Sequence, residues 1–281
     1  MTPAFTMFAL IIAIFSGFLG ALLGLGGGVI LVPLLVFLLD IPIHYAAGAS
    51  IIAVVATSSA ATSVYVKNEI TNTKLGMFLE LATTLGALSG ASLMSVAGES
   101  VLQTLFGASL LYASITMWTQ MRNTNKSWTS MPNDWLADKL DLGGDYWDEA
   151  SGEQVSYGVH HSLPTFLISY IAGIVSGLLG IGGGGIKVPA MNVVSSIPMK
   201  VSVATSNFMI GVTASASALV YLRSGFCDFF ITAPVVLGTL IGSYLGARST
   251  RHIQGLFLKQ LFIVVLIILG LRMIVSGAGL F

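Results

Sequence analysis

Apolar positions in this chain gather into long runs at 4–23, 46–66, 75–97, 101–121, 164–180, 201–222, 229–247 and 257–276. Each is near the ~20 residues that an α-helix needs to cross a hydrocarbon core, so each predicts a transmembrane helix. Two shorter runs, 29–39 and 186–197, follow clusters of glycine. Eleven helical residues at ~1.5 Å each reach only about half the core, so these read as half-helices meeting near the midplane. Polar residues collect in one place, 122–162, which holds three of the four tryptophans (Trp128, Trp135, Trp147) and seven of the twelve acids.

The glycine clusters are two copies of one motif. Gly24-Leu25-Gly26-Gly27-Gly28-Val29-Ile30-Leu31-Val32-Pro33 corresponds to Gly180-Ile181-Gly182-Gly183-Gly184-Gly185-Ile186-Lys187-Val188-Pro189. Consecutive glycines inside an apolar run predict a helix broken within the bilayer, tolerated where protein or a water-filled cavity satisfies the freed backbone groups. Paired interruptions in two halves of a chain point to a transport site.

The spacing from Pro33 to Pro189, 156 residues, holds well beyond the motif. It pairs Gly17 with Gly173, Pro42 with Pro198, Ser50 with Ser206, Thr57 with Thr213, Tyr65 with Tyr221, Gly86 with Gly242, Gly90 with Gly246, Leu105 with Leu261 and Met117 with Met273. A register kept over about a hundred residues indicates duplication. Cytoplasmic loops collect Lys and Arg, and equivalent loops here differ in that respect. Lys67 and Lys74 precede the first half's Gly76 where the second half offers only Arg223. The following loop has Glu99 in the first half and Arg248, Arg251 and Lys259 in the second. These asymmetries predict inverted repeats, five elements each, with both termini outside and 122–162 in the cytoplasm beside Arg122 and Lys126.

The expected fold is therefore an all-α polytopic membrane protein of two inverted repeats, 1–121 and 163–281, each containing a Gly-rich broken-helix hairpin, joined by a small soluble α/β connector, 122–162. Within the connector, Pro132-Asn133-Asp134-Trp135 opening onto Leu136, Leu140 and Leu142 predicts a short helix with Pro132 in its first turn. Tyr146-Trp147-Asp148-Glu149 and Gln154-Val155-Ser156-Tyr157, alternating around Ala150-Ser151-Gly152, predict a β-hairpin.

Composition agrees: 55% hydrophobic, 9% charged, mean hydropathy +0.89. Such a chain has too little polar surface to be soluble, and a multi-pass protein of the cell (plasma) membrane is expected, with the lipid bilayer as its surroundings. The first apolar run is too long for a signal-peptide core and reads as a retained helix. Net charge is zero, which gives no footprint for nucleic acid. Cys227 is the single cysteine, so no internal disulfide forms, and no metal site is expected. His160-His161 near Glu149 and Glu153 reads as a solvated loop in preference to metal ligands.

Candidate chemistry starts at the glycines. Gly26, Gly27 and Gly28 in the first copy and Gly182, Gly183, Gly184 and Gly185 in the second place free N–H donors at helix starts, where anions are favoured. Close helix packing is the plainer use of small residues. A dinucleotide fingerprint is formally matched by Gly180 to Gly185, but the cluster follows a transmembrane helix and no acid lies some twenty residues on; neither copy is a Walker A loop. No cofactor is expected.

Lys187 stands where the other copy has Leu31, and an intramembrane base is costly without a partner or a task. It either complements an anion at the broken helix or snorkels to the surface. Glu80, between Leu79 and Leu81, is the other intramembrane charge, placed to pair with Lys187, to carry a coupling proton, or to sit at the interface near Lys74. The helices that follow supply Ser50, Thr57, Ser58 and Ser59 in one copy and Thr205, Ser206, Asn207, Thr213 and Ser215 in the other. These hydroxyls and the amide can donate to an oxyanion without fixed charge, which suits a substrate that must also leave.

The paired Gly-rich motifs ending in Val-Pro, followed by Ala47-Gly48-Ala49-Ser50 and Ala204-Thr205-Ser206-Asn207, resemble the TauE/SafE family of sulfite and organosulfur-anion exporters. The likeness covers both membrane halves, and Ala49 departs from the Gly-Thr-Ser form expected there. The resemblance implies a secondary transporter, an exporter of a small sulfur-containing anion such as sulfite, sulfoacetate or another organosulfonate, working without a nucleotide. The alternatives are a channel or a cation-coupled carrier of another small anion or neutral solute, and a membrane scaffold whose connector binds a partner. An intramembrane enzyme is disfavoured, because His44, His160, His161 and His252 all lie at helix ends or in loops. The sequence leaves the oligomeric state unknown.

Overall fold

A computed structural model describes residues 3–23, 26–122, 132–148, 152–249 and 256–279. Trp128, Lys126, Glu149, Arg251, His252 and the Gly24-Leu25 pair lie outside the described residues. The chain is a helical membrane protein: α1 (Pro3–Leu23), α3 (Ile43–Lys67), α4 (Thr73–Met94), α5 (Glu99–Arg122), α7 (Ser162–Leu179), α9 (Met199–Arg223) and α10 (Phe229–Ser249) are long, with α11 (Leu256–Gly277) last. Among the described residues, seven helices are long and apolar enough to cross a membrane, and a further apolar stretch lies in α11.

Between the long helices lie the two short ones. α2 (Gly28–Leu39) is regular over its 12 residues even though Pro33 lacks an N–H to give to the ladder. α8 (Gly184–Pro189) is shorter than the apolar run 186–197 predicts, because after Pro189 the chain widens into a π-type turn, Ala190–Val194. Both copies then end in the same way. Asp40 and Ser196, 156 residues apart, take left-handed φ of 50° and 57°. Pro42 and Pro198 open α3 and α9 with φ/ψ of −54°/139° and −52°/139°.

The spacing of 156 therefore recurs in geometry. α3 and α9 correspond end for end, 25 residues each. Tyr65 Oη donates to Ala21 O at 3.1 Å, and its counterpart Tyr221 Oη donates to Gly177 O at 2.9 Å; Ala21 and Gly177 are themselves equivalent. Packing is exchanged between the halves: α1 lies on α10, and α4 lies on α7. A Cβ on Gly17 would meet Thr239 O at 2.5 Å, and one on its counterpart Gly173 would meet Thr83 O at 2.2 Å. Gly86 and Gly90 likewise abut Tyr170 O and Ile174 O, and Gly242 and Gly246 abut Ile14 O and Phe18 O. These four-residue glycine spacings let backbones touch where lipid provides no hydrophobic drive for association.

The connector forms α6 (Trp135–Lys139) and a hairpin of β1 (Gly144–Asp148) with β2 (Glu153–Tyr157), antiparallel with Gly144 opposite Tyr157 and Asp148 opposite Glu153. Pro132 stays outside α6, because Asp134 is the N-cap and accepts from Ala137 N at 2.7 Å. The same carboxylate accepts from Ser162 N (2.6 Å) and Ser162 Oγ (2.9 Å) at the start of α7. Burial opposes ionisation of Asp134, but the hydrogen bonds from Ser162 and Ala137 outweigh it and hold its pKa below the ordinary carboxylate value.

Asn72 joins the connector to the membrane helices. Its Oδ1 caps α4 at Leu75 N, its Nδ2 donates to Leu142 O (2.8 Å) and Tyr157 Oη (3.0 Å), and its backbone N donates to Thr205 Oγ1 (3.0 Å). Around it Tyr146, Tyr157, Leu142 and Val159 pack with Leu75, Leu79, Met191 and Val201 in one apolar cluster. Burial pushes the Tyr157 phenol up to about 12, although Asn72 works the other way. Two exposed ion pairs, Lys74 with Asp141 and Lys200 with Asp148, edge the contact.

Candidate functional site

The glycine breaks of the two halves meet. Gly26 and Gly27 have φ of 80° and 77°, and Gly182 and Gly183 have 78° and 74°, a region that side chains disfavour. Each pair turns the chain back along the helix before it: a Cβ on Gly20 would sit 2.1 Å from Gly27 N, and Ser16 Oγ donates to Gly27 O at 2.6 Å. Gly28 abuts Ser50 Oγ and Gly180 O, at 2.7 and 2.8 Å from where a Cβ would be, and Ser50 Oγ donates to Gly180 O at 2.8 Å. Gly26 and Gly182 both face the same two side chains, Val54 and Ile210, which are repeat equivalents. The meeting point is thus filled with hydrocarbon in this conformation.

Polar candidates separate into two groups. In the first, the Thr57, Ser58 and Thr205 hydroxyls and the Asn207 amide nitrogen bond to backbone groups, while Asn207 Oδ1 has no hydrogen-bond partner among the described residues. Thr57 Oγ1 donates to Ala53 O, Asn207 Nδ2 donates to Val203 O, and Thr205 Oγ1 accepts from Asn72 N. Ser58 Oγ donates to Asn207 O, which ties α3 to α9. Ser206 is fully buried. Gly184 and Gly185 form the first turn of α8.

The second group is a buried charge relay. Lys187 is 1% exposed and Glu80 7%, which replaces the snorkelling reading of Lys187. Lys187 Nζ donates to Thr213 Oγ1 at 2.8 Å, and Thr213 Oγ1 lies 2.8 Å from Glu80 Oε1, to which it donates. Thr84 Oγ1 donates to the same oxygen at 2.7 Å, and Thr83 Oγ1 to Oε2 at 2.9 Å. Three hydroxyls thus serve the carboxylate, and the cation reaches it through one of them. Lys74, near in sequence, is instead paired with Asp141 at the surface.

The lysine and the acid come from different halves and meet because α4 packs on α7 and α9. The equivalent place in the other half holds Leu31, Val236, Thr57 and Thr239. Its threonines survive, but Thr57 donates to Ala53 O and Thr239 to Val236 O and Ala53 O. One of two equivalent places therefore carries both charges, and the other carries neither.

Ser176 completes the surroundings. A Cβ on Gly183 would lie 3.1 Å from Ser176 Cβ and 3.3 Å from Lys187 Cε, which puts the three residues together. Ser176 is fully buried, and its Oγ has no hydrogen-bond partner among the described residues. Ser169 Oγ, seven residues earlier on α7, is in the same condition. Thr83, Thr84 and Ser176 were missed from sequence. The first two were detectable, since residues three and four beyond Glu80 share its helix face.

A family model described as "Sulfite exporter TauE/SafE" matches residues 9–273. The chain is 27% identical over 276 residues to a Bacillus subtilis protein described as "Probable membrane transporter protein YunE", covering 95% of this chain and 96% of that protein. A second B. subtilis protein, "Probable membrane transporter protein YdhB", is 25% identical with 94% and 96% covered. "Probable membrane transporter protein MJ0441" of Methanocaldococcus jannaschii is 24% identical with 94% of each chain covered. No solved structure matches.

Proposed function

Because the chain belongs to the sulfite exporter TauE/SafE family and is a multi-pass membrane transporter, we propose that its cargo is a small sulfur-containing anion, sulfite or an organosulfonate. The anion binds beside Lys187, under the glycine break of the second half. The observation that carries this reading is the placement of Lys187 against Gly183 and the unpartnered Ser176 hydroxyl. A fixed cation, a hydroxyl and backbone exposed by glycine are a donor set for an oxyanion.

The transport step in this proposal is a rocking of inverted repeats about the site. Inversion has support in the helix directions. α10 runs in the same sense as α1, since Gly238 lies on Leu10 O and Gly246 on Phe18 O. α3 also runs in the sense of α1: Ser16 is level with Gly27, next to which Gly28 meets Ser50, while Ala21 meets Tyr65. α10 turns back on α9 through a short connection, so α9 runs opposite to its equivalent α3. The connector and Lys74 share one side by their ion pair. α7 begins there and α4 runs parallel to it, so α10 ends there, bringing Arg248 to the same side. Basic residues on one side make that side cytoplasmic.

The test is flux of sulfite and of several sulfonates into proteoliposomes, with and without a pH gradient. Saturable flux that is lost in Lys187→Met is the expected result. Absence of saturable anion flux under every gradient overturns the proposal.

A further inference from the structure

We propose that the Lys187–Thr213–Glu80 relay makes transport an obligate co-movement of one proton with one monovalent anion, the proton riding on Glu80. The inference rests on the reading that Lys187 meets the anion. It adds the coupling ion, the stoichiometry and the charge class of the cargo.

The argument is one of net charge. Without cargo, Lys187 and Glu80 neutralise each other through the Thr213 hydroxyl. Adding a monovalent anion beside Lys187 leaves a net negative charge on Lys187, Thr213 and Glu80, which are 7% exposed or less, and that is costly in the membrane interior. A proton on Glu80 removes that charge. Loaded with both, the site is again neutral. Loaded with either alone it carries a net charge, and those forms are the ones disfavoured from crossing. A divalent anion leaves excess charge even with the proton bound, so a sulfonate or bisulfite is preferred to sulfate.

The hydroxyls are arranged for this exchange. Thr213 Oγ1 is 2.8 Å from Glu80 Oε1 and 3.0 Å from Met209 O, so its single proton has a second acceptor when the carboxyl is neutral. Thr83 Oγ1 likewise has Glu80 Oε2 at 2.9 Å and Glu80 O at 3.2 Å. Lys187 has three N–H donors, and Thr213 is its one acceptor among the described contacts. Other titratable groups on the packed elements are placed elsewhere. Tyr170 of α7 is partly exposed, Tyr221 of α9 donates to Gly177 O, Lys200 pairs with Asp148, and Arg223 ends α9.

The experiment adds isethionate, a monovalent anion that does not titrate near neutrality, to the purified full chain in weakly buffered detergent. Binding and proton uptake are measured together, with sulfate in parallel. Expected are about one proton taken up per isethionate bound, an affinity falling tenfold per pH unit on the alkaline side, and sulfate at least tenfold weaker. Glu80→Gln should bind isethionate with no proton uptake and no pH dependence. Isethionate binding to the unaltered chain without proton uptake overturns the coupling and leaves the anion site standing, as does uptake that persists in Glu80→Gln. Failure of both isethionate and bisulfite to bind between pH 5.5 and 8 overturns the anion site and the coupling together. The measurement on the unaltered chain decides the matter even if the variant does not fold.

Discussion

Lys187→Met removes the cation from the relay and keeps most of the stem volume, so its effect on stability reports electrostatics more than packing. Glu80 would remain buried at 7% exposure and keep three hydroxyl donors. Removing one partner of a buried charge pair costs about 3–5 kcal/mol, and those hydroxyls place this variant near the lower end. Glu80→Gln should cost at least as much, because the ammonium it strands keeps one hydroxyl acceptor, Thr213. In the double variant no charge is left without its partner, and the loss should shrink to about 1–2 kcal/mol, the residue being imperfect hydroxyl pairing. At about 2–4 °C per kcal/mol, each single variant melts roughly 6–20 °C lower, and the double variant recovers most of that. Thermal unfolding of the four proteins in one detergent at pH 7.5 is the assay. Additive losses, with the double variant lower than either single one, would refute the relay as an energetic unit.

Three further outcomes follow from the packing and the connector. Gly242→Leu should prevent correct assembly of α1 with α10, since even a Cβ would come 2.0 Å from Ile14 O; yield of monodisperse protein reads this, and normal yield counts against the close contact. Asn72→Ala loses the α4 cap and both connector bonds, about 1 kcal/mol for the cap alone; limited proteolysis should cut within 132–161 several-fold faster, and an unchanged rate would contradict the docking role. For Asp134, hydrogen bonding sets the folded pKa below its unfolded value, so its contribution is fully present above about pH 4 and fades as pH falls through the folded pKa. Proteolysis of the connector should therefore accelerate below about pH 4, and Asp134→Asn should be cleaved quickly even at pH 7, which slow cleavage would disprove.

Much of the helical framework was legible because lipid imposes it. A spanning segment must satisfy its backbone internally and be apolar over its length, and both demands are written directly in residue type. The runs at 46–66 and 201–222 therefore locate α3 and α9 to within a few residues at either end. The short elements were harder. Nothing in Val188-Pro189-Ala190-Met191 distinguishes an α-helix from the π-type turn that replaces it, because the difference lies in which carbonyl each N–H meets once Pro189 has removed a donor. The connector's hairpin could be read from alternation, whereas its docking could not. Asn72 reaches Leu142 and Tyr157 across 70 and 85 residues, and no local pattern encodes such a contact.

The site divides along the same line. Lys187 and Glu80 stood out singly because charge is scarce where lipid surrounds the chain, and Lys187 more so because its repeat partner is Leu31. Their meeting through Thr213 depends on α4 of one half lying against α7 and α9 of the other, which is tertiary information. The same exchange explains why a duplicated chain needs only one charged place. Backbone contacts between the halves recur at the 156-residue spacing, as in Gly17 with Thr239 and Gly173 with Thr83, whereas the charged contact of Glu80 with Thr213 occurs once. A second Lys–Glu pair would require the Leu31 and Val236 positions to bury two more charges within a single domain. That would double the desolvation cost without adding a second meeting of the glycine breaks, which converge on one point, Val54 and Ile210. Asymmetry in the charges, set on a repeat in the backbone, is what the proposed transport of one neutralised cargo requires.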